Sequence, residues 1–175
     1  EHFIGKELWE IGIFRDKDYP ALSVMSDILG GGFSSRLFLN VRTRKGLAYN
    51  IGGGWHASYD HPGVLRLGGS TKSASTVDAI KAVREEVDKI RAAEVTDQEL
   101  QTAKSAVLNS FVFNFDQPRK VLTRYVTYEY FGYPKDFIFQ YQKGVEATTR
   151  ADVLRVAKEY IKPEQFTIVA VGNPK

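Results

Sequence analysis

Read for its alternation of apolar and polar positions, the chain begins with a strand pattern. Trp9, Ile11 and Ile13 alternate with Glu10 and Gly12, the period of two that buries one face of a strand. After the polar turn 16–18 the period lengthens. Leu22, Met25, Ile28 and Leu29 follow helical spacing, with Asp18 as a candidate N-cap and Pro20 tolerated in the first turn. Gly30-Gly31-Gly32 ends that helix, reading as a C-cap and sharp turn. Ser34 or Ser35 then caps a short helix over Arg36–Arg44, and Lys45-Gly46 turns the chain.

A hairpin follows. Tyr49, Ile51, Gly53, Trp55, Ala57 and Tyr59 share one face of a long strand, with Asn50, His56 and Ser58 on the other. Asp60-His61-Pro62-Gly63 makes the turn, and Val64–Ser70 returns with Leu65 and Leu67 on one face. The rest is mainly helical. Val77, Ile80, Val83, Val87 and Ile90 mark one helix. A capping box, Thr96-Asp97-Gln98-Glu99, opens another through Leu100, Ala103, Val107 and Leu108. Gln117-Pro118 starts a helix through Val121, Leu122 and Tyr125 to Gly132, and 136–145 forms the next. Thr148 or Thr149 caps the last, through Val153, Val156 and Tyr160. The apolar run Phe166–Val171 reads as a strand covered on both faces.

No strand–helix–strand repeat dominates, which argues against a doubly wound parallel sheet. The expected class is α+β, a mostly antiparallel sheet with helices packed on one face. At 175 residues and 43% hydrophobic composition, one domain over 1–175 is expected. No apolar run is long enough to span a bilayer as a helix. The chain has no Cys, which excludes disulfides, thiolate catalysis and Cys-ligated zinc. A net charge of +3, spread along the chain, is a weak footprint for a nucleic-acid binder. The first residues have no signal-peptide pattern. With no initiator Met, a processed or partial chain is expected. Compartment stays open, bacterial cytoplasm and periplasm both being compatible.

Candidate chemistry narrows quickly. The three glycines precede a helix, yet the Gly-Lys-Ser/Thr ending of a phosphate loop is missing, and a helix rather than a strand precedes them. The three histidines, His2, His56 and His61, match no zinc motif. Ser34 and Ser35 lack a nucleophile elbow. Glu85-Glu86 reads as a solvated helix face. Tyr125, Tyr128, Tyr130, Phe131 and Tyr133 read as core or interface packing. Arg42 and Tyr49 are left. A helix end, a turn and a strand start could bring that guanidinium and phenol together, as donors to peptide carbonyls or to an oxyanion.

Residues 29–49, LGGGFSSRLFLNVRTRKGLAY, resemble the second homologous domain of pitrilysin/insulinase-type zinc metallopeptidases, a family that includes the mitochondrial processing peptidase. The resemblance implies a zinc-free half, paired with a homologous domain or subunit carrying H-x-x-E-H and the zinc. No cofactor is expected in this chain. It implies that Arg42 and Tyr49 serve as auxiliary catalytic residues across a shared chamber. Gly31, Gly32, Phe33 and Ser34 match a longer glycine-rich loop that handles peptide substrate in processing peptidases. The expected function is the substrate-binding half of an endopeptidase, inactive alone and able to form a homodimer in isolation. The alternative is an inert structural homologue, such as a respiratory-complex core protein.

Overall fold

The computed structural model describes residues 2–6 and 16–172; the expected strand over Trp9–Ile13 lies outside them. Among the described residues, four strands form an antiparallel sheet in the order β2-β3-β1-β4: β1 His2–Lys6, β2 Asn50–His56, β3 Val64–Ser70 and β4 Thr167–Val171. The hairpin pairs Asn50 with Ser70 and His56 with Val64. Six α-helices accompany the sheet: α1 Tyr19–Gly30, α2 Thr76–Ala92, α3 Asp97–Ser110, α4 Pro118–Phe131, α5 Phe137–Ala147 and α6 Arg150–Tyr160. This is the α+β arrangement expected.

Helix α1 is the spine. Leu22, Val24, Met25 and Leu29 are fully buried, packed with Ile51 and Trp55 of β2 and with Val153, Val156 and Ala157 of α6. Strand β2 accepts the helix because it is glycine-rich at the crossing. A Cβ on Gly30 would lie 2.6 Å from the Gly53 carbonyl, and one on Gly54 would strike Ser26 Oγ. Ser26 Oγ uses the contact to accept the Trp55 N–H at 2.8 Å. Gly30, the last residue of α1, and Gly54 thus serve close approach. Gly31, the C-cap, keeps a right-handed φ of −76°, so no left-handed cap ends the helix.

The expected capping box forms, and the last helix has a second one. Thr96 accepts from the Glu99 N–H, and Thr149, rather than Thr148, accepts from Asp152. Asp18 sits at the N-cap of α1 but makes no capping bond with its side chain. Its carboxylate, 4% exposed, meets the Arg155 guanidinium in a two-pronged pair at 2.7 and 2.9 Å, and Tyr160 donates to it at 3.0 Å. Arg155 holds this carboxyl below the usual range, against the opposing effect of burial. The folded pKa therefore lies below the unfolded one, so the stabilisation is present above about pH 4 and lost as pH falls through the folded value. Arg155 is half-exposed, which softens the pair. Arg155→Ala is expected to cost about 2–3 kcal/mol at pH 7, with the gap to the parent narrowing below about pH 4. Thermal melts at pH 7 and pH 3 check this, and an equal gap at both values would refute it.

Several elements depart from the sequence reading. Strand β4 is exposed along its whole length, including Ile168, Val169 and Val171. It stands at the sheet edge among the described strands, so its apolar run does not mark a strand covered on both faces. Glu86 is not a solvated residue: it is 1% exposed, and its Oε1 accepts from Lys89 Nζ at 2.6 Å, while Glu85 alone faces solvent and pairs with Lys45. Val77 points outward, and Ala79 and Ala82 take its place in the core. The aromatic cluster divides. Tyr128 and Tyr133 pack with Tyr59, Phe131 and Phe137 in a second small core, whereas Tyr125 and Tyr130 are exposed.

Candidate functional site

The segment after the glycines is helical, but wider than an α-helix. Residues Leu37–Arg44 form a π-helical stretch, closed by Lys45 N–H to the Asn40 carbonyl five residues back, 3.1 Å. Such stretches concentrate at functional sites. Leu37 and Val41 anchor it in the core. Of the two candidate caps, Ser35 is the one engaged: buried, it accepts weakly from the Phe38 N–H at 3.4 Å and donates to the Gly32 carbonyl at 2.6 Å. Gly46, with φ +62°, reverses the chain into Tyr49 and β2.

This reversal brings the two leading candidates together. Arg42 Nε donates to the Tyr49 carbonyl at 2.7 Å, and the guanidinium carbon lies 4.5 Å over the Phe38 ring. The contact is therefore guanidinium to main chain, not guanidinium to phenol. It spends Nε and leaves the two terminal nitrogens of an exposed side chain with no carboxylate partner among the described residues. Tyr49 is 63% exposed, its own N–H donating to the Ser70 carbonyl at 2.8 Å. Backbone bonds on both sides thus fix the residue while its ring projects into solvent.

Arg42 and Tyr49 share a cleft of about 310 Å³ with Gly30, Gly31, Gly32, Phe33, Phe38, Asn50 and Ile51. Three of the four glycine-loop candidates, Gly31, Gly32 and Phe33, line it. Ser34 does not; it faces a separate cleft with Asp27, Arg36, Asn40 and Glu99. Phe33 is 81% exposed and stands edge-on to Phe38 at 4.9 Å, extending the stack begun by Arg42. Sequence reading passed over Phe38. Its spacing of four from Arg42 on a helix was the available signal.

In the neighbouring cleft the arrangement is structural. Arg36 binds Glu99 through two bonds, at 2.7 and 3.2 Å, tying the π-helical segment to the capping box of α3. Burial raises the Glu99 pKa, but Arg36 and Thr96 outweigh it and hold the carboxyl below its ordinary value. Asp27, half-buried under the glycine loop, is pushed up by desolvation.

Two other constellations resemble active sites and fail on geometry. Ser58, Asp60 and His61 lie together at the hairpin turn. However, Asp60 Oδ1 and Ser58 Oγ both approach the same nitrogen, His61 Nδ1, at 2.7 and 3.0 Å. A catalytic triad needs its acid and its nucleophile on opposite ring nitrogens. No group of three or more His, Asp or Glu side chains among the described residues could hold a metal ion, and a catalytic zinc takes three protein ligands. The described residues do not fit a catalytic zinc. Chelator-rinsed protein is expected to carry substoichiometric zinc by elemental analysis; one tightly held zinc per chain would contradict this.

Residues 7–107 match the family model described as the peptidase M16 inactive domain. Among curated relatives, an uncharacterized zinc protease, YmxG of Bacillus subtilis, is 30% identical over 121 residues, covering 69% of this chain and 29% of its own length. The non-peptidase homolog YmxG of Helicobacter pylori is 27% identical over 162 residues, covering 91% and 37%. The chain thus spans about a third of the length of these relatives. The crystal structure of an inactive peptidase domain from Bordetella parapertussis superposes with a TM-score of 0.80 at 19% identity, covering 99% of this chain and 93% of that one, which shows the same fold. The chain belongs to the peptidase M16 family, as an inactive domain of it.

Proposed function

We propose that this chain is the zinc-free, substrate-holding half of a zinc metalloendopeptidase, a single domain that works opposite a homologous half bearing H-x-x-E-H. The observation that carries the reading is the engagement of Arg42: Nε is spent on the Tyr49 carbonyl, while the exposed guanidinium has no carboxylate partner among the described residues and lines a cleft with an exposed phenol. A surface arginine without such a role would more commonly pair with a carboxylate or trail in solvent.

An extended peptide offers main-chain carbonyls on both sides, and those turned toward this cleft need donors. Arg42 supplies fixed N–H groups to a ground-state carbonyl. Tyr49 supplies one O–H, which strengthens when water adds to the scissile carbonyl and its oxygen gains charge. Phe38 stacks under the guanidinium and restricts its rotamers, so less entropy is lost on binding. The exposed Phe33 and the backbone of Gly31 and Gly32 line the approach.

The isolated chain is expected to hydrolyse no peptide, and reconstitution with a zinc-bearing homologous half is expected to restore cleavage. Arg42→Ala should then raise KM, because a contact present in the ground state is removed. Cleavage by this chain alone, free of contaminating protease, would overturn the proposal. The inert-homologue reading has one observation in its favour, the name non-peptidase homolog carried by the Helicobacter relative. It would lead if the Arg42 and Tyr49 variants keep parental kinetics.

A further inference from the structure

Helix α4 turns its apolar side away from the protein. Of its fourteen residues only Tyr128 is buried, while Leu122, Val126 and Tyr130 are 65%, 59% and 81% exposed. These positions, with Tyr125 and Glu129, fall on one helical stripe at spacings of three and four. The stripe is the outward side, opposite Tyr128. Between α4 and the chain that follows lies an open groove of about 630 Å³, walled by Tyr125, Val126, Glu129, Tyr130 and Lys135.

The charges on this stripe say what fits it. Arg119 and Glu129 flank it at opposite ends, both exposed, and neither has an ion-pair partner among the described residues. The nearby Lys120 is engaged by Asp116 at 2.9 Å. Arg119 and Glu129 lie five positions either side of residue 124; Leu122 and Val126 lie two positions either side of it. A second α4, reversed about that midpoint, therefore sets Arg119 against the other copy's Glu129 and Leu122 against its Val126, and does each twice. A surface complementary to its own reversed copy is what a two-fold interface requires. The exposed Leu122 is the knob, and the groove beside Val126 and Tyr130 is the hole.

We propose that the outward face of α4 is an interface between two copies of this chain, packed antiparallel about residue 124. It stands independently of the role given to Arg42 and Tyr49. One helix pair makes a small contact, so association in the tens of micromolar, roughly 10–100 µM, is expected.

Sedimentation equilibrium of the 175-residue chain, from about 5 to 500 µM, reads the result. The average mass should rise from the 19.7 kDa monomer toward twice that value. Arg119→Glu and Glu129→Arg should each raise the dimer dissociation constant about fivefold or more, since each places like charges together at two symmetric points. The double variant should restore parental association, and misfolding cannot produce that rescue. Both side chains are exposed, so thermal melts of all variants should match the parent. A monomer throughout the range, a dimer indifferent to Arg119→Glu, or a double variant no better than the singles would each overturn the proposal.

Discussion

Tyr49→Phe is expected to lower kcat of the reconstituted peptidase by roughly 10²–10³, the effect of losing one preplaced oxyanion donor, with KM nearly unchanged. The backbone of Tyr49 is held by two bonds, its N–H to the Ser70 carbonyl and Arg42 Nε to its own carbonyl. Neither uses the hydroxyl. Phenylalanine should therefore keep the fold, the cleft and the Arg42 rotamer, and remove one donor. Arg42→Ala differs in kind. It deletes the clamp on residue 49 as well as the free guanidinium nitrogens, so both kcat and KM should worsen. Steady-state kinetics at matched zinc occupancy of the partner half separates the two. Parental kcat in Tyr49→Phe would make this residue a structural feature of the strand start.

Gly53→Ala should be the most damaging added methyl among the described glycines. Gly53 sits inside β2 with φ +132°, a region that side chains of L residues rarely adopt. An added Cβ would also run into the Arg66 carbonyl and lie 2.9 Å from Leu67 Cα. These are backbone atoms of the paired strand, which cannot swing aside. Strain of about 1–3 kcal/mol adds to the steric cost, giving a total loss of roughly 3–5 kcal/mol. For a chain of this size that lowers Tm by roughly 10 °C or more. Gly32→Ala is the control. Its Cβ meets nothing within 4 Å, so its stability should stay within about 0.5 kcal/mol of the parent. Two glycines in one neighbourhood thus differ by an order of magnitude in consequence. An equal Tm in the two variants would show that β2 can relax.

Why some features could be read in advance and others not is visible in particular residues. The capping box at Thr96–Glu99 was legible because its partners lie three positions apart, and the hairpin because a turn, Asp60-His61-Pro62-Gly63, separates two alternating runs, Leu65 and Leu67 sharing one face about Arg66. The pairing of Arg42 with Tyr49 was legible as proximity, since a turn of a few residues leaves the chain no other course. Its form was not: a carbonyl acceptor is invisible in a list of side chains. The exposure of β4 was misread because an apolar run specifies what could be covered, not whether a neighbour is there to cover it. The aromatic cluster was legible as core or interface packing, but not which residue takes which part: Tyr128 is buried, and Tyr125 and Tyr130 are exposed.

By itself, then, the sequence determined the local events: where the described helices begin, where Gly46 and Gly132 let the chain turn, and that no thiol chemistry is available. Those depend on interactions within a few residues. Only the tertiary structure decided which glycines are indispensable: Gly30 matters through a helix–strand crossing on Gly53, 23 positions away in sequence, and Gly53 through the backbone of Arg66 and Leu67 on the neighbouring strand. It also decided that Asp18 answers Arg155 rather than its own helix, across 137 positions. It separated Ser34 from the cleft that Phe33 enters. In each case the deciding contact is long-range, and local spacing carries no record of what the fold will bring alongside.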